Sequence, residues 1–376
     1  MRRRTLSFAW LLGSVGLVAC AVAFLVNAPA ARAAASQDWS PFVLVTGLLL
    51  VGLVADDDGL FEAAGNRLAR SSSSGVVLFL GASALIGAVT AILNLDTSVA
   101  FLTPVLVYAA RSRGGGEAPL LYGCLLLSNA GSLFLPGSNL TNLIVLGHAR
   151  LTGADFISHM WAPGLVALIV TAAVVGVFER RALRLASSPV APSAPVTWGL
   201  GLVAIVVSAT LVVVLSAPAL AVLAVGVVAI AIRIAERRDH VDHVAEVLGV
   251  PLLVGLFGLA VALGALGRAW SYPTTVLAHL NVWATAGVAT LASVAFNNLP
   301  AASLLSAHPP AHPFALLIGL NLGPNLFVSG SLAWLLWLRA ARVAGANPSI
   351  GRASALGLWA VPLSIVAALA ALVLVG

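Results

Sequence analysis

Uncharged apolar stretches about as long as a bilayer is thick recur from one end of this 376-residue chain to the other, and no other feature limits its possible folds so tightly. A membrane-crossing helix needs about 20 consecutive, mostly apolar residues. Apolar runs fall at 7–27, 41–55, 75–110, 118–148, 160–178, 197–215, 217–235, 250–267, 273–306, 311–340 and 353–375. Some are too long for one simple crossing. Ser71 to Ala110 holds a single charge, Asp96, and 118–149 and 269–338 hold none. Each of these must contain a broken helix, a re-entrant hairpin or two crossings joined by a tight turn. The expectation is an all-α polytopic membrane protein of about ten transmembrane segments.

Charge points to the same class. Only 9% of the residues are charged, against roughly 25% in a soluble domain, too few to coat a soluble surface. The net charge of +6 comes from 19 basic residues, all arginine, lying mainly between the apolar runs. That placement fits the positive-inside rule better than nucleic-acid binding. Arginine-bearing connections at 67–70, 111–113, 180–184 and 233–238, together with Met1, are expected on the cytoplasmic side of a bacterial inner (plasma) membrane. Arg2, Arg3 and Arg4 precede an apolar core from Leu6 to Val26, longer than the roughly 7 to 15 residues of a cleaved signal, so a retained first helix is expected. Cys20 and Cys124 share no motif and read as small packing residues.

The longest polar linker, 179–196, carries Pro189, Pro192 and Pro195 and separates a first transmembrane repeat, 1–178, from a second, 197–376. Gly59 to Arg70 reads as a short interfacial helix capped by an aspartate. The preceding Asp56, Asp57 and Asp58 lack the alternating spacing of a calcium loop and read as a solvated turn. The halves echo each other. In the first, Ser128-Asn129-Ala130-Gly131 leads to Leu135-Pro136-Gly137-Ser138-Asn139-Leu140-Thr141-Asn142; in the second, Gly319-Leu320-Asn321-Leu322-Gly323-Pro324-Asn325 leads to Ser329-Gly330-Ser331. Upstream of each lies another polar interruption, Asn94-Leu95-Asp96-Thr97-Ser98 and Asn297-Asn298-Leu299-Pro300.

Irregular backbone survives in hydrocarbon only where protein or a polar cavity satisfies it. Gly and Pro in mid-span therefore imply a cavity, and paired breaks in corresponding positions of two halves are the best pointer to a transporter's midplane site. Ser and Asn also glue transmembrane helices together, so a single such residue reads as packing. Clustering with Gly and Pro twice over favours a site. Asp96 is the sharpest individual candidate: a carboxylate at mid-span costs about 2.5 to 3.5 kcal/mol to insert, and it is poised to take up and release a proton. Its bland alternative is a cap for the half-helix starting at Thr97.

The remaining polar features are weaker. Asp239-His240-Val241-Asp242-His243 with Glu246 reads as a solvated face, and His308-Pro309-Pro310-Ala311-His312 as a proline-stiffened loop, in preference to metal sites. Trp39, Trp161, Trp270 and Trp359 fall near span ends, where aromatic belts are expected. There is no His-Glu-x-x-His, no phosphate-cradling loop and no catalytic dyad, and Asp96 reads as the only deep acid. Neither an intramembrane enzyme nor an ATPase is expected, and no cofactor.

The run LFLPGSNLTNLIV at 133–145 closely resembles the signature of the arsenite efflux pump family (arsenical pump membrane proteins) of the ion transporter superfamily. TAILNLDTSVAFLTPVL at 90–106, FNNLPAA at 296–302 and GLNLGPNLFVSGSLAWLLW at 319–337 support the resemblance, which spans essentially the whole chain. It implies two inverted repeats with broken or re-entrant helices, exporting arsenite or antimonite on the proton gradient, sometimes docked to a cytosolic ATPase subunit. A homodimer is compatible with it. Carried over by motif, Asp96 would be the proton-coupling acid. Asn94, Asn129, Ser138, Asn139, Thr141, Asn142, Asn297, Asn298, Asn321, Asn325 and Ser331 would line the site. In two respects the chain departs from the family: it is short, and Asn321 stands where an acid is common. On the same scaffold a sodium/proton antiporter or a carboxylate or other anion carrier is the alternative. An anion site would recruit Arg or helix N-termini, and no Arg lies in the proposed cavity segments.

Overall fold

The computed structural model describes residues 2–147, 152–184, 199–236 and 241–375. α1 (Arg2–Asp57) joins the first two expected spans without a loop, bending at Asn27 (φ −150°, ψ 80°) just before Pro29. Pro29 cannot donate to the helical ladder. Asn27 Oδ1 compensates by accepting from the Ala30 N–H at 3.1 Å, so the second half of α1 starts with its own cap.

The rest of the first half follows in order. α2 (Leu60–Ser71) is the expected short amphipathic helix. Its cap is a correction: Gly59, in the left-handed conformation with φ 71°, precedes it, and no aspartate side chain caps it. The solvated-turn reading fails for Asp58 as well. That residue is buried, pairs with Arg233 and accepts from the Gly201 N–H at 2.7 Å, while Asp56 and Asp57 stay exposed. α3 (Gly75–Ile92) and α4 (Leu95–Ser112) form a hairpin with its tip at Leu93 and Asn94. α5 (Ala118–Gly131) stops short, a 3-10 turn at Pro136–Ser138 follows, and α6 (Leu140–Val145) resumes. α7 (Gly153–Phe178) and the short α8 (Arg180–Arg184) close the half.

The second half opens with α9 (Leu200–Val214), α10 (Ala219–Ala235), α11 (Val241–Leu248), α12 (Val250–Ala269) and α13 (Tyr272–His279). A second hairpin, α14 (Val282–Phe296) and α15 (Asn298–Leu305), turns at Asn297. α16 (Pro313–Leu322) breaks through a 3-10 turn at Gly323–Leu326 before α17 (Leu332–Val343), and α18 (Ile350–Val375) ends the chain. No strand occurs among the described residues. The long uncharged stretches thus resolve into two hairpins and two broken helices, as their length required. Pro189, Pro192 and Pro195 of the linker, and Arg237, Arg238, Asp239 and His240, lie outside the described residues.

The surface is that of a protein in lipid. Five described helices are long and apolar enough to cross a bilayer singly. The 14 residues of α5 rise only about 21 Å at 1.5 Å per residue, short of a hydrocarbon core of about 30 Å, so α5 and α6 make one crossing between them. Leu25, Val26, Leu291 and Leu374, on three different helices, are 71–86% exposed, large apolar side chains that lipid accommodates. Trp39, Trp161, Trp270 and Trp359 all face outward.

Arginines gather at one end. Arg111 donates to the carbonyls of Ala344 (2.7 Å) and Gly345 (2.9 Å), Arg113 to those of Ala69 (2.9 Å) and Ser72 (2.5 Å), and Arg352 pairs with Glu179 at 2.7 Å. By the positive-inside rule this end faces the cytoplasm. The first half of α1 lies along α12 with almost no side chain between them. A Cβ on Gly16 would meet the Gly255 carbonyl oxygen at 2.0 Å, and one on Gly258 would meet that of Gly16 at 2.2 Å. Only glycine permits such an approach.

Candidate substrate site at two broken helices

Each break is held open by its own polar side chains. In the first, Asn139 caps α6, its Oδ1 accepting from the Thr141 N–H (3.2 Å) and hydroxyl (3.1 Å). Asn142 Nδ2 donates to the carbonyls of Ser132 (2.8 Å) and Leu135 (3.0 Å), which bracket the break. Ser138 stays within the turn, its hydroxyl donating to Leu135 O at 2.5 Å. In the second, Trp334 Nε1 donates to Pro324 O at 2.7 Å, and Gly330 packs on Pro324 so tightly that a Cβ would lie 2.5 Å from Pro324 Cα. The α14–α15 tip is stitched to this break: the Asn298 N–H donates to Gly330 O (2.8 Å) and Asn297 Nδ2 to Ser329 O (3.2 Å). Asn297 itself turns the chain at φ 73° and ψ 148°, a positive-φ conformation that non-glycine residues seldom adopt.

The two breaks meet. Asn321 Oδ1 accepts from Ser132 Oγ (2.8 Å) and Asn139 Nδ2 (2.5 Å), and its Nδ2 donates to Asn142 Oδ1 (2.8 Å). Asn129 Nδ2 donates to Asn325 Oδ1 at 2.8 Å, and Asn325 Nδ2 to Leu126 O at 3.0 Å. All of these residues are buried, none is charged, and the network crosses from the first half of the chain to the second. Amide and hydroxyl groups of this kind both donate and accept, so they can hold a polyhydroxylated solute by exchanging partners. Several buried polar atoms nearby remain without partners among the described residues: Thr90 Oγ1, Asn94 Nδ2, Thr97 Oγ1, Asn129 Oδ1 and Ser331 Oγ. Unpaired groups in such surroundings are costly.

Asn94, not Asp96, caps α4, its Oδ1 accepting from the Thr97 N–H at 2.7 Å. The capping alternative for Asp96 therefore falls away. Asp96 is buried in the first turn, and its carboxylate makes no hydrogen bond or ion pair among the described residues. The α3–α4 tip is fastened to α5 through the Ser98 and Ser128 hydroxyls, 3.2 Å apart. On the arginine-rich side, a cavity of about 990 Å³ opens between α2, α4 and α17, bordered by Glu62, Ala100, Pro104, Tyr108 and Arg339. Ala100, at its border, lies one turn along α4 from Asp96.

The sequence-derived candidates therefore divide. Asn129, Asn139, Asn142, Asn321 and Asn325 are brought together; Asn94, Ser138, Thr141 and Asn297 shape the local turns; Asn298 and Ser331 are buried beside them. Ser132 was missed, although it lies inside the Ser128-to-Asn142 cluster. Asp38 was missed too, and it corrects the view of Asp96 as the only deep acid. Asp38 is fully buried in α1, and its signal was a lone acid between two apolar runs that proved to be joined by helix beyond the bend at Asn27. Among the described residues no group of three His, Cys, Asp or Glu is placed to hold a metal ion.

Comparison with known proteins follows the same lines. The chain is 25% identical over 334 residues to an Arsenical pump membrane protein of Escherichia coli, covering 80% of this chain and 78% of that protein. It is 26% identical over 336 residues to the Inner membrane protein YbiR of Escherichia coli (strain K12), covering 86% of each. A 46 kDa membrane protein of Mycobacterium leprae (strain TN) is 24% identical over 342 residues, covering 82% of this chain and 80% of that one. Among solved structures, the YdaH transporter of Alcanivorax borkumensis aligns over 99% of this chain and 97% of its own at 16% identity and a TM-score of 0.46, too loose a likeness to transfer detail. The family model CitMHS, described as Citrate transporter, matches residues 1–337, taking in both hairpins and both breaks, and the chain belongs to that family.

Proposed function

We propose that this chain exports arsenite or antimonite across the bacterial inner membrane in exchange for protons. Family membership makes it a transporter; substrate and coupling are inferred from the site. The observation that carries the inference is the chemistry of the network joining the two breaks, five asparagine amides and one serine hydroxyl with no charged group among them. The trihydroxides of As(III) and Sb(III) are uncharged near neutral pH, and their hydroxyls can replace the amides partner for partner. A citrate trianion would leave its charge opposed only by dipoles. Likeness to arsenical pump membrane proteins supports the same choice.

A neutral substrate gains nothing from membrane voltage, so an incoming proton supplies the drive. Asp96, buried and unpaired at the α3–α4 tip, is the carboxylate assigned to carry it. The correspondence of α3–α4 with α14–α15, and of the α5–α6 break with the α16–α17 break, supports two inverted repeats over 1–178 and 197–376, linked by 179–196.

One observation favours a second reading, a carboxylate carrier. α4, α15 and α17 all begin at the site, so their positive ends face it, and the start of α17 has no side-chain cap. Purified protein in proteoliposomes under an imposed pH gradient separates the two. Arsenite accumulation without citrate or sodium accumulation is the expected result; uptake of citrate or sodium alone rejects the proposal.

A further inference from the structure

On the far side of the network from the arginine-rich end, a second polar cluster sits between α1, α12 and α15. Asp38 of α1 is fully buried. One of its oxygens accepts from Ser303 Oγ of α15 at 2.9 Å; the other has no partner among the described residues. Arg268 of α12 is the charged group facing it, but its guanidinium is committed elsewhere, to Gln37 Oε1 (2.5 Å) and Gly264 O (2.9 Å), and the two form no ion pair. Gln37 in turn donates to the carbonyls of Ile144 at the end of α6 (2.8 Å) and Ser306 beyond α15 (3.3 Å). α6 and α15 bring no titratable residue to the cluster, and on α1 itself Arg32 is exposed.

A buried carboxylate with one free oxygen and no ion pair is costly while charged. Where such a group persists in a membrane, a proton or ion pathway is the usual reason. Asp38 also touches the elements that build the site. Ser303 lies on the same arm as Asn298, and Gln37 binds the residue two positions after Asn142. α5 starts beside Arg111 and α6 ends the same crossing at Ile144, whose carbonyl Gln37 holds, whereas α4 runs from Asp96 to Arg111, so Asp96 and Asp38 flank the asparagine network from opposite sides. We infer that Asp38 is a second proton-binding carboxylate, the outward-facing counterpart of Asp96, which takes a proton from the outer side and is read by the α14–α15 hairpin through Ser303. The inference rests on the proton-exchange reading and adds to it where the proton enters. With a proton on the carboxyl, the Ser303 bond is to a neutral group and weakens, freeing α15 to move relative to α1.

Two measurements test it. Infrared titration of the reconstituted protein follows the C=O stretch of protonated carboxyl groups, whether or not transport occurs. Asp38→Asn, which keeps an acceptor for Ser303, is expected to abolish one titrating component, Asp96→Asn a different one, and Ser303→Ala to move the midpoint of the Asp38 component. An unchanged band in Asp38→Asn overturns the inference, and if Asp38→Asn does not fold, an unmoved midpoint in Ser303→Ala does so. In proteoliposomes, Asp38→Asn is expected to lose pH-driven uptake while retaining exchange of arsenite for arsenite, which moves no net proton. Equal loss of both activities marks a structural residue and overturns it, as does retention of both. Failure of the wild type to carry arsenite at all would fall on the transport reading instead, leaving the infrared result to decide on Asp38.

Discussion

Replacing Asn321 by leucine, a side chain of similar size, removes a residue of α16 that bonds to three side chains of the other half. Ser132, Asn139 and Asn142 all lose it as a partner. Two of the losses leave orphans, since Asn139 Nδ2 and Asn142 Oδ1 have no second partner among the described residues, whereas Ser132 Oγ keeps Asn129 O at 2.7 Å. Interhelical hydrogen bonds in membranes average about 0.6 kcal/mol, so three give about 2 kcal/mol. Two orphaned groups at the lower end of about 1 kcal/mol each give the same figure. Ser132→Ala is the control. It leaves Asn321 Oδ1 bonded to Asn139 and orphans neither amide, so its expected cost is about 0.6 kcal/mol. The assay is equilibrium unfolding by SDS titration in mixed micelles, with an Asn321→Leu and Asn139→Ala double-mutant cycle to isolate the pair. Equal costs for Asn321→Leu and Ser132→Ala, or no coupling in the cycle, would refute the idea that this network ties the halves together.

Asp96→Asn should fold normally and lose pH-gradient-driven arsenite uptake in everted vesicles; undiminished uptake removes Asp96 from the mechanism. Arg233→Met removes the buried ion-pair partner of Asp58, which keeps the Gly201 N–H, and is expected to cost about 3 kcal/mol, part of it recovered in Asp58→Leu/Arg233→Met, as read by the same SDS titration. Gly357→Ala puts a Cβ 1.9 Å from the Asn325 carbonyl oxygen, so α18 must back away from the second break. A loss of about 1 to 3 kcal/mol is expected, together with weaker arsenite binding, and wild-type stability would show that α18 is not held that close.

The breaks were legible because hydrocarbon leaves Gly, Pro and Asn few other uses. Length required 75–110 and 273–306 to break, cross twice or double back, and which of these they do, turning at Asn94 and Asn297, is visible only in the fold. Partnership was harder to read. That Asn321 reaches Ser132, Asn139 and Asn142 depends on how two distant segments face each other, which one-dimensional spacing does not encode. Asp38 was hidden for a different reason: a gap between two apolar runs looks like a loop, and only the capped bend at Asn27 shows that α1 carries that acid inward as helix. Asp58 was hidden by its neighbours, since one member of an acidic triplet turns inward to Arg233 while two stay wet.

The contact between α1 and α12 has a mechanical consequence. Where main chain rests directly on main chain, at Gly16 against Gly255 and Gly258, there are no rotamers to hop and no slack to take up, so sliding one helix would lift it off the other. Such a joint suits a stationary frame. Displacement during a working cycle then falls to the pieces fastened by a few exchangeable side-chain bonds, and the two hairpins, whose tips hang on Ser98 and Asn297, are built that way.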